Sequence, residues 1–462
     1  MGKLIGNVLV FGLLLVGFGG CAGMAGGSQK DESYAVVVSK ETYDLIQWQG
    51  VVGALVDTHG ADVIVYDGSV DSCLAELQEK FPHYVCFVGR YQEVGRDFVA
   101  DVHNLTRKLD DDPYTDVIWG IITGYDASDA LRIAKYDKPL VVKRLLTASV
   151  GSPLDEYVEG KMYSELKPNQ LWVKTAGGEI EQKTCDTDIT EAIANDLNNY
   201  KPDAFITSGH ASEKDWNPGY GYRCGKYLAK DGQLYGRDLK GNEYEIKSDN
   251  PKVHLAIGNC LIGHVSDQQC MALAIMRSAG VYQMLGYTVP TWYGYGGWGV
   301  KDYFSELQAG RFSLAEANYV NNVALVYELE KTGGKDRGLL HDRDVVVLYG
   351  NPAWQAKMPK QELPWKQELT YKDGVYTFRI IANEKGDWDN RPVIELLGQR
   401  IGEVEIIKGK EHGAVVVDNF ILVPVHNGVQ AMKGNQEEVF PIKGDYQKGD
   451  VIEIQFREKY TN

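Results

Sequence analysis

A histidine and a cysteine stand at the ends of two apolar segments of the chain. The segment DAFITSG at 203–209 leads directly into His210, and VHLAIG at 253–258 leads through Asn259 into Cys260. In a parallel α/β sheet, the carboxyl ends of the strands form the edge at which active sites lie. A thiol beside an imidazole is the nucleophile and base of a cysteine hydrolase. The pattern therefore indicates such a hydrolase, and the alternative is a cysteine that packs in the core.

The segments around these two residues alternate between strand and helix patterns. Predicted strands cover 34–38, 62–66, 84–89, 117–122, 140–146, 203–209, 253–258, 281–285 and 344–348. Predicted helices cover 42–60, 72–81, 128–136, 188–199, 267–278 and 313–329. This alternation is typical of a parallel sheet covered by helices on both faces. Residues 212–250 are polar and form a long excursion between the two key strands, and such excursions are often functional.

The sequence changes character after residue 360. Residues 364–461 contain short alternating runs separated by turn residues, such as GVYTFRII at 374–381 and VIEIQF at 451–456. This pattern predicts a small β-sandwich that is immunoglobulin-like in general pattern, without an internal cysteine pair. We therefore expect a first α/β subdomain over 33–165, a catalytic subdomain over 166–360 and a β-sandwich over 361–462.

The first 32 residues predict export of the chain. Lys3 precedes an apolar run at 8–18 that is too short for a comfortable transmembrane helix. The segment FGGCA at 18–22 resembles the lipobox of bacterial lipoproteins, in which Cys21 becomes the lipidated residue. We expect a signal peptide over 1–20, a tether over 21–32 and a lipid-anchored protein of the bacterial cell envelope. The alternative is cleavage by ordinary signal peptidase, which would give a secreted protein.

Composition narrows the classes of partner. The chain has 462 residues and a formal net charge of −16, which argues against a nucleic-acid or anionic-membrane surface. We therefore expect the protein to contact the membrane through a lipid anchor only. Seven cysteines in this length do not make a disulfide scaffold.

Several motifs, taken in order, resemble those of gingipain-like cysteine peptidases. ITSGHAS at 206–212, followed by Trp216, resembles their histidine motif, and AIGNCLIG at 256–263 resembles their cysteine motif. VLYGNP at 347–352 is similar to the FGDP sequence that closes their catalytic domain. The resemblance covers most of residues 33–460. It implies a caspase-like α/β fold, a parallel-sheet three-layer sandwich in two subdomains, followed by an immunoglobulin-like β-sandwich.

The resemblance also implies roles for individual residues in peptide hydrolysis. Cys260 would be the nucleophile, His210 the acid and base, and the backbone N–H groups of Ala211 and Cys260 the oxyanion donors. An acidic residue on the first subdomain orients the histidine in this family, and GIITGYD at 120–126 offers Asp126 for that role. The substrate would be a peptide or protein, and catalysis would need no cofactor.

The chain departs from the family pattern at some positions. It has Ala211 where the family prefers Gly and Asn259 where the family has Ala. Nothing matches the pocket with which the family selects basic residues. The aromatic segment at 291–298 occupies the pocket-wall region, so Trp292 and Trp298 are expected to line the substrate pocket or, equally, to pack the fold.

The sequence leaves three alternative interpretations open. The first is a noncatalytic binding or scaffolding lipoprotein on a peptidase-like fold. The second is a zinc site, which the spacing disfavours because its candidate ligands span a strand, a turn and a helix; these are His254, Cys260, His264 and Cys270. The third is structural calcium bound by acidic stretches such as 110–112, although acidic loops are usually solvated.

Overall fold

A computed structural model describes residues 33–384, 391–425, 431–433, 436–438 and 446–459 of the chain. The predicted signal peptide, the tether and Cys21 lie outside the described residues. Among the described residues, no helix combines the length and the apolar character needed to cross a membrane.

The residues before 360 form strands and helices that alternate over part of the chain and include two runs of consecutive strands. The strands are β1 (Tyr34–Ser39), β2 (Asp62–Tyr66), β3 (Tyr84–Val88), β4 (Ile118–Ile122), β5 (Leu140–Val141), β6 (Arg144–Ala148), β7 (Glu159–Tyr163), β8 (Leu171–Lys174), β9 (Ile180–Lys183), β10 (Ala204–Thr207), β11 (Asp215–Trp216), β12 (Lys226–Lys230), β13 (Gln233–Arg237), β14 (Glu243–Glu245), β15 (Lys252–Ala256), β16 (Val281–Tyr287), β17 (Val346–Tyr349) and β18 (Ala356–Lys357). The helices are α1 (Lys40–Tyr43), α2 (Ile46–His59), α3 (Leu74–Lys80), α4 (Arg96–Leu105), α5 (Ala127–Ala134), α6 (Thr190–Asn195), α7 (Met271–Ser278), α8 (Tyr295–Lys301), α9 (Leu314–Lys331) and α10 (Arg337–Asp342).

One large sheet holds twelve of these strands, in the order β2-β1-β3-β4-β17-β16-β15-β10-β6-β7-β8-β9. The first strand group, β2, β1, β3, β4 and β17, is parallel throughout. The second strand group, β16, β15, β10, β6 and β7, is also parallel throughout. However, β16 and β17 pair antiparallel, so the two groups run in opposite directions. The α/β prediction is confirmed, and the sheet is mixed and mostly parallel.

The residue types explain why these segments form a central sheet. Strands β1, β3 and β4 are buried along their whole length, as expected for apolar runs covered on both faces. Gly120 lets β4 approach the turn after β17, because a Cβ atom there would lie 2.5 Å from the Gly350 carbonyl oxygen. Helix α9 begins with a capping box in which Ser313 and Glu316 bond each other's backbone N–H.

Some elements differ from the sequence predictions. The long insertion after His210 contains a four-stranded antiparallel sheet of β11, β12, β13 and β14. Neither α4 nor α8 was predicted, and α8 begins inside the aromatic segment at 291–298. Strand pairing also crosses the expected subdomain boundary at residue 165, because β7 pairs with β8.

The residues after 360 form antiparallel sheets, as their alternating pattern predicted. Their strands are β19 (Trp365–Lys372), β20 (Val375–Ala382), β21 (Val393–Leu396), β22 (Val404–Lys408), β23 (Val415–Val416), β24 (Phe420–Val423), β25 (Ala431–Lys433), β26 (Gln436–Glu438) and β27 (Val451–Glu458). The sheet β19-β20-β27-β22 and the sheet β21-β24-β23 share one apolar core. This domain is tied to the α/β part by polar contacts, including Tyr303 Oη to the Pro392 carbonyl at 2.7 Å.

Candidate active site

His210 and Cys260 follow two neighbouring parallel strands. Strands β10 and β15 pair in register, with Thr207 opposite Ala256, and the two functional residues come three and four positions later. Both therefore lie at the carboxyl edge of the second strand group. This is the placement that the sequence predicted.

The backbone next to each of these residues is in the left-handed region. Gly209 has φ 93°, immediately before His210, and Leu261 has φ 59°, immediately after Cys260. Glycine adopts such a conformation freely, whereas Leu261 pays roughly 1 kcal/mol for it. Such strain is concentrated at functional sites, where a side chain must be presented in a fixed direction.

The Cys260 thiol is half-buried and contacts the backbone of Thr291. The Thr291 N–H donates to the sulfur at 3.2 Å, and the thiol can donate to the Thr291 carbonyl at 3.8 Å. Both forms of the side chain therefore have a partner. An N–H aimed at the sulfur stabilises the negative charge of a thiolate, which is the nucleophilic form.

The His210 side chain is exposed, and its backbone is firmly held. Its ring packs on Tyr220 with 4.7 Å between the ring centroids, and its carbonyl accepts from the Asn217 N–H at 2.9 Å. Within the described residues, no hydrogen bond joins the imidazole to Cys260 or to a carboxylate. Hydrogen bonds between nucleophile and base are often loose before substrate binds.

Trp216 anchors the turn that carries His210. It is buried, stacks on Tyr227 and donates from Nε1 to the Ser208 carbonyl at 2.9 Å. Ala211 and Trp216 form an antiparallel bridge. Its two hydrogen bonds use the His210 carbonyl and the Ser212 N–H, so the Ala211 N–H takes part in neither. The oxyanion role of Ala211 and Cys260 stays a prediction.

Asp126 and His210 lie at opposite edges of the sheet. It follows β4, which belongs to the first strand group, so it stands at the edge opposite to that of His210. Its carboxylate caps α5 through the Ser128 N–H at 2.9 Å and pairs with Arg277 at 3.1 Å. The antiparallel pairing of β16 with β17 reverses the two edges, so the topology gives no support to the orienting role, which stays a prediction.

The two tryptophans of the aromatic segment have different environments. Trp292 is 61% exposed, directly follows Thr291 and packs on the ring of His341. Trp298 is half-buried, and its indole lies against two glycines. A Cβ at Gly151 would meet the ring at 2.6 Å, and one at Gly258 would lie 3.6 Å from Nε1. Trp292 thus follows the residue that contacts the Cys260 thiol, Trp298 lies against the segment that leads to Cys260, and a pocket role for them stays a prediction.

Glu165 is a site residue that the sequence did not reveal. It is 5% exposed, and its carboxylate accepts from the Val150 N–H at 2.8 Å and from the Ser208 hydroxyl at 3.5 Å. No cation pairs with it among the described residues. Ser208 in turn lies against Gly258, beside Trp298. Glu165 follows β7 in the second strand group, but no local sequence pattern marked it out.

The structure also brings three acids together elsewhere. The carboxylate oxygens of Asp110, Asp112 and Asp116 lie within 4.8 Å of one another. Burial raises the pKa of Asp116 to about 8 and that of Asp112 to about 6. Oxygen ligands of this kind suit calcium, which would displace the bound protons, and structural calcium stays a prediction. The four proposed zinc ligands form no such group within the described part of the chain.

The chain matches no protein-family model, no curated protein and no solved structure. The chemistry of the residues at the carboxyl edge of the second strand group is therefore the basis for assigning a function.

Proposed function

We propose that the protein is a cysteine endopeptidase of gingipain-like type, with Cys260 as nucleophile and His210 as acid and base. One observation carries the proposal. Two neighbouring parallel strands end at the same edge, and each presents one of these residues beside a backbone turn with positive φ. A cysteine that only packs in a core needs neither a strained turn nor an N–H directed at its sulfur.

The proposed reaction has two steps. The Cys260 sulfur attacks the carbonyl carbon of the scissile peptide bond, and the thiol proton passes through His210 to the leaving amine. The C–N bond breaks, and an acyl thioester remains on the enzyme. Water, deprotonated by His210, then attacks the thioester, releasing the carboxylic acid and the thiol. The N–H groups of Ala211 and Cys260 would bind the oxyanion in both steps.

The residues beside the dyad suggest the kind of side chain that the substrate presents. Trp298 offers a flat aromatic wall, and the nearby Glu165 offers a buried carboxyl group without a cationic partner among the described residues. A buried carboxyl group ionises at a cost, and a cation placed beside it offsets that cost. We therefore expect substrates that place a lysine or arginine side chain at this position, with Trp292 contacting the chain outside.

The remaining features of the molecule fit the same proposal. The ordered motifs and the α/β sheet support a caspase-like core, and the antiparallel sheets after residue 360 support an immunoglobulin-like domain. The lipobox-like segment around Cys21 supports attachment to the bacterial cell envelope.

The test is covalent labelling with a peptidyl acyloxymethyl ketone that carries lysine next to the reactive group. We expect the wild-type protein to be labelled at Cys260 and the Cys260→Ala variant to be unlabelled. Cys224→Ala is the matched control, because Cys224 is also a half-buried free thiol. Equal labelling of wild type and Cys260→Ala would refute the proposal.

A noncatalytic binding lipoprotein is the second candidate. The observation that favours it is the exposed His210 ring, which has Tyr220 as a neighbour and no carboxylate partner among the described residues. This candidate predicts that peptides bind equally well to wild type and to Cys260→Ala, and that neither protein hydrolyses them. Hydrolysis by wild type alone would exclude it.

A further inference from the structure

A buried chain of polar side chains connects the ends of β10 and β15. The Asn259 Nδ2 donates to the Gly209 carbonyl at 3.1 Å, and the Asn259 Oδ1 accepts from the Thr207 hydroxyl at 2.6 Å. The Thr207 Oγ1 lies 3.1 Å from the His254 Nε2. All three side chains are at most 2% exposed. Since buried polar groups of this kind have few alternative partners, the connection is rigid.

The direction of each hydrogen bond follows from the chemistry of the groups. A carbonyl oxygen only accepts, so the Asn259 amide must present its NH₂ group to Gly209 and its oxygen to Thr207. The Thr207 hydroxyl then donates to Asn259 and accepts from His254, which must carry its proton on Nε2. Burial lowers the pKa of His254 to about 3, so the ring is neutral at ordinary pH.

The side of the His254 ring that faces away from Thr207 packs in the apolar interior. Its ring stacks on Phe205 with 5.0 Å between centroids, and its Nδ1 has no hydrogen-bond partner among the described residues. It borders a cavity of about 10 Å³ lined otherwise mainly by apolar side chains such as Met271 and Ile275. The ring therefore cannot turn to satisfy Nδ1 without losing the contact to Thr207.

The Asn259 end of this series of hydrogen-bonded side chains contacts the backbone beside both proposed catalytic residues. The Gly209 carbonyl belongs to the peptide bond whose N–H is that of His210, and Gly209 has φ 93°. Asn259 itself precedes Cys260, and its carbonyl accepts from the Thr291 hydroxyl at 3.4 Å. A single amide side chain thus sets the orientation of the His210 peptide relative to the Cys260 peptide.

We propose that Asn259, oriented by Thr207 and His254, is a positioning residue that holds the His210 turn against the Cys260 turn. The proposal rests on the function proposed above. It explains why the position before the nucleophile carries a buried amide in this chain. Without the amide, the Gly209–His210 peptide would lose the hydrogen bond that links it to the Cys260 turn, and the imidazole would be held less precisely relative to the sulfur.

Three variants test the proposal. Asn259→Ala removes the amide, Thr207→Val removes one hydroxyl with little change of shape, and Thr207→Ser restores the hydroxyl. Because misplacement of catalytic groups by about 1 Å costs about 100-fold, we expect kcat to fall about 10- to 100-fold in Asn259→Ala and about 5- to 10-fold in Thr207→Val. KM should stay within about 2-fold, and Thr207→Ser should recover most of the loss. Thr106→Val is the control, because Thr106 is equally buried but lies at the end of α4.

A second measurement separates this proposal from the proposed function. The rate of Cys260 alkylation by iodoacetamide is followed against pH, with the Cys260→Ala rate subtracted, in wild type, His210→Ala, Asn259→Ala and Thr207→Val. We expect wild type to be alkylated faster than His210→Ala, because the imidazole accepts the thiol proton, and we expect the other two variants to lie between them. Identical wild-type and His210→Ala profiles would overturn the dyad together with its positioning. If Asn259→Ala and Thr207→Val had the same alkylation profile and the same kcat as wild type, the positioning role alone would be overturned.

Discussion

Each of the two strand groups has a carboxyl edge, and the two edges carry different side chains. At the edge of the first group, Glu93 is enclosed by donors, with the Ser39 hydroxyl at 2.7 Å and the Arg90 N–H at 2.8 Å. At the edge of the second group, His210 is exposed, Cys260 is half-buried, and both stand beside positive-φ residues. Every parallel strand group offers such an edge. The difference teaches that the acid at the first edge is enclosed by hydrogen-bond donors, as in a structural role, whereas the second edge presents an exposed imidazole and a half-buried thiol.

The largest expected effect at the second edge comes from His210→Ala. Loss of the acid and base should lower kcat/KM for peptide hydrolysis by about 10²- to 10⁴-fold while leaving the melting temperature nearly unchanged. His412→Ala, at a partly exposed histidine of the C-terminal domain, should keep full activity. A His210→Ala variant as active as His412→Ala would remove the functional difference between the two edges.

Glu165→Gln tests whether the second edge selects cationic substrates. The variant keeps the shape and replaces the carboxyl group by an amide, which cannot form an ion pair, so kcat/KM for a lysine- or arginine-containing peptide should fall about tenfold relative to a leucine analogue. Glu93→Gln is the matched change at the first edge and should leave this ratio unaltered. Paired measurements on the two peptides check the prediction, and an unchanged ratio in Glu165→Gln would contradict it.

Glu93→Gln should act on stability instead of activity. Although burial opposes ionisation, hydrogen bonds from Arg90, Thr42 and Ser39 lower the pKa of Glu93. The carboxylate therefore stabilises the fold above its unfolded pKa of about 4.3, and this contribution disappears as pH falls through the folded pKa. We expect the free energy of unfolding at pH 7 to drop by about 1–3 kcal/mol in urea titrations. Glu41→Gln, at an exposed partner of Arg90, should change it little.

A pH dependence of stability is also expected, at the amino end of β15. Burial lowers the pKa of Lys252 to about 7, and its ammonium donates to the Ser248 hydroxyl at 3.0 Å. Between about pH 7 and pH 10 the unfolded chain keeps a proton that the folded chain has lost, so the free energy of unfolding rises with pH. Lys252→Met should flatten this rise, and Lys201→Met, at a more exposed lysine, should not. Equal slopes in all three proteins would show that Lys252 does not titrate in this range.

Much of the fold was accessible from the sequence because local patterns carry it. The apolar runs before His210 and Cys260 became neighbouring strands, and the alternating runs after residue 360 became antiparallel sheets. The four short strands in the polar insertion after His210 were not predicted, because apolar and polar residues alternate only weakly there. Helix α4 was missed although its apolar residues recur at helical spacing, with Val99, Val102 and Leu105 buried.

Only part of the candidate site could be predicted from the sequence. His210 and Cys260 were identified because each directly follows an apolar run. Tyr220, Glu165 and Thr291 were not, since they come from segments 10 to more than 40 residues away and only packing brings them close. Asn259 was noticed as an unusual residue, yet its role depends on Thr207 and His254, which the register of β10 and β15 places beside it.

The sequence by itself determined which segments form strands and which reactive residues stand at their ends, because these properties depend on neighbours along the chain. Only the tertiary structure decided on which side of the sheet each strand end lies. The antiparallel pairing of β16 with β17 puts Asp126 at one edge and Cys260 at the other. Strand direction within a sheet is set by long-range pairing and by crossover connections, and no local pattern of side chains records it.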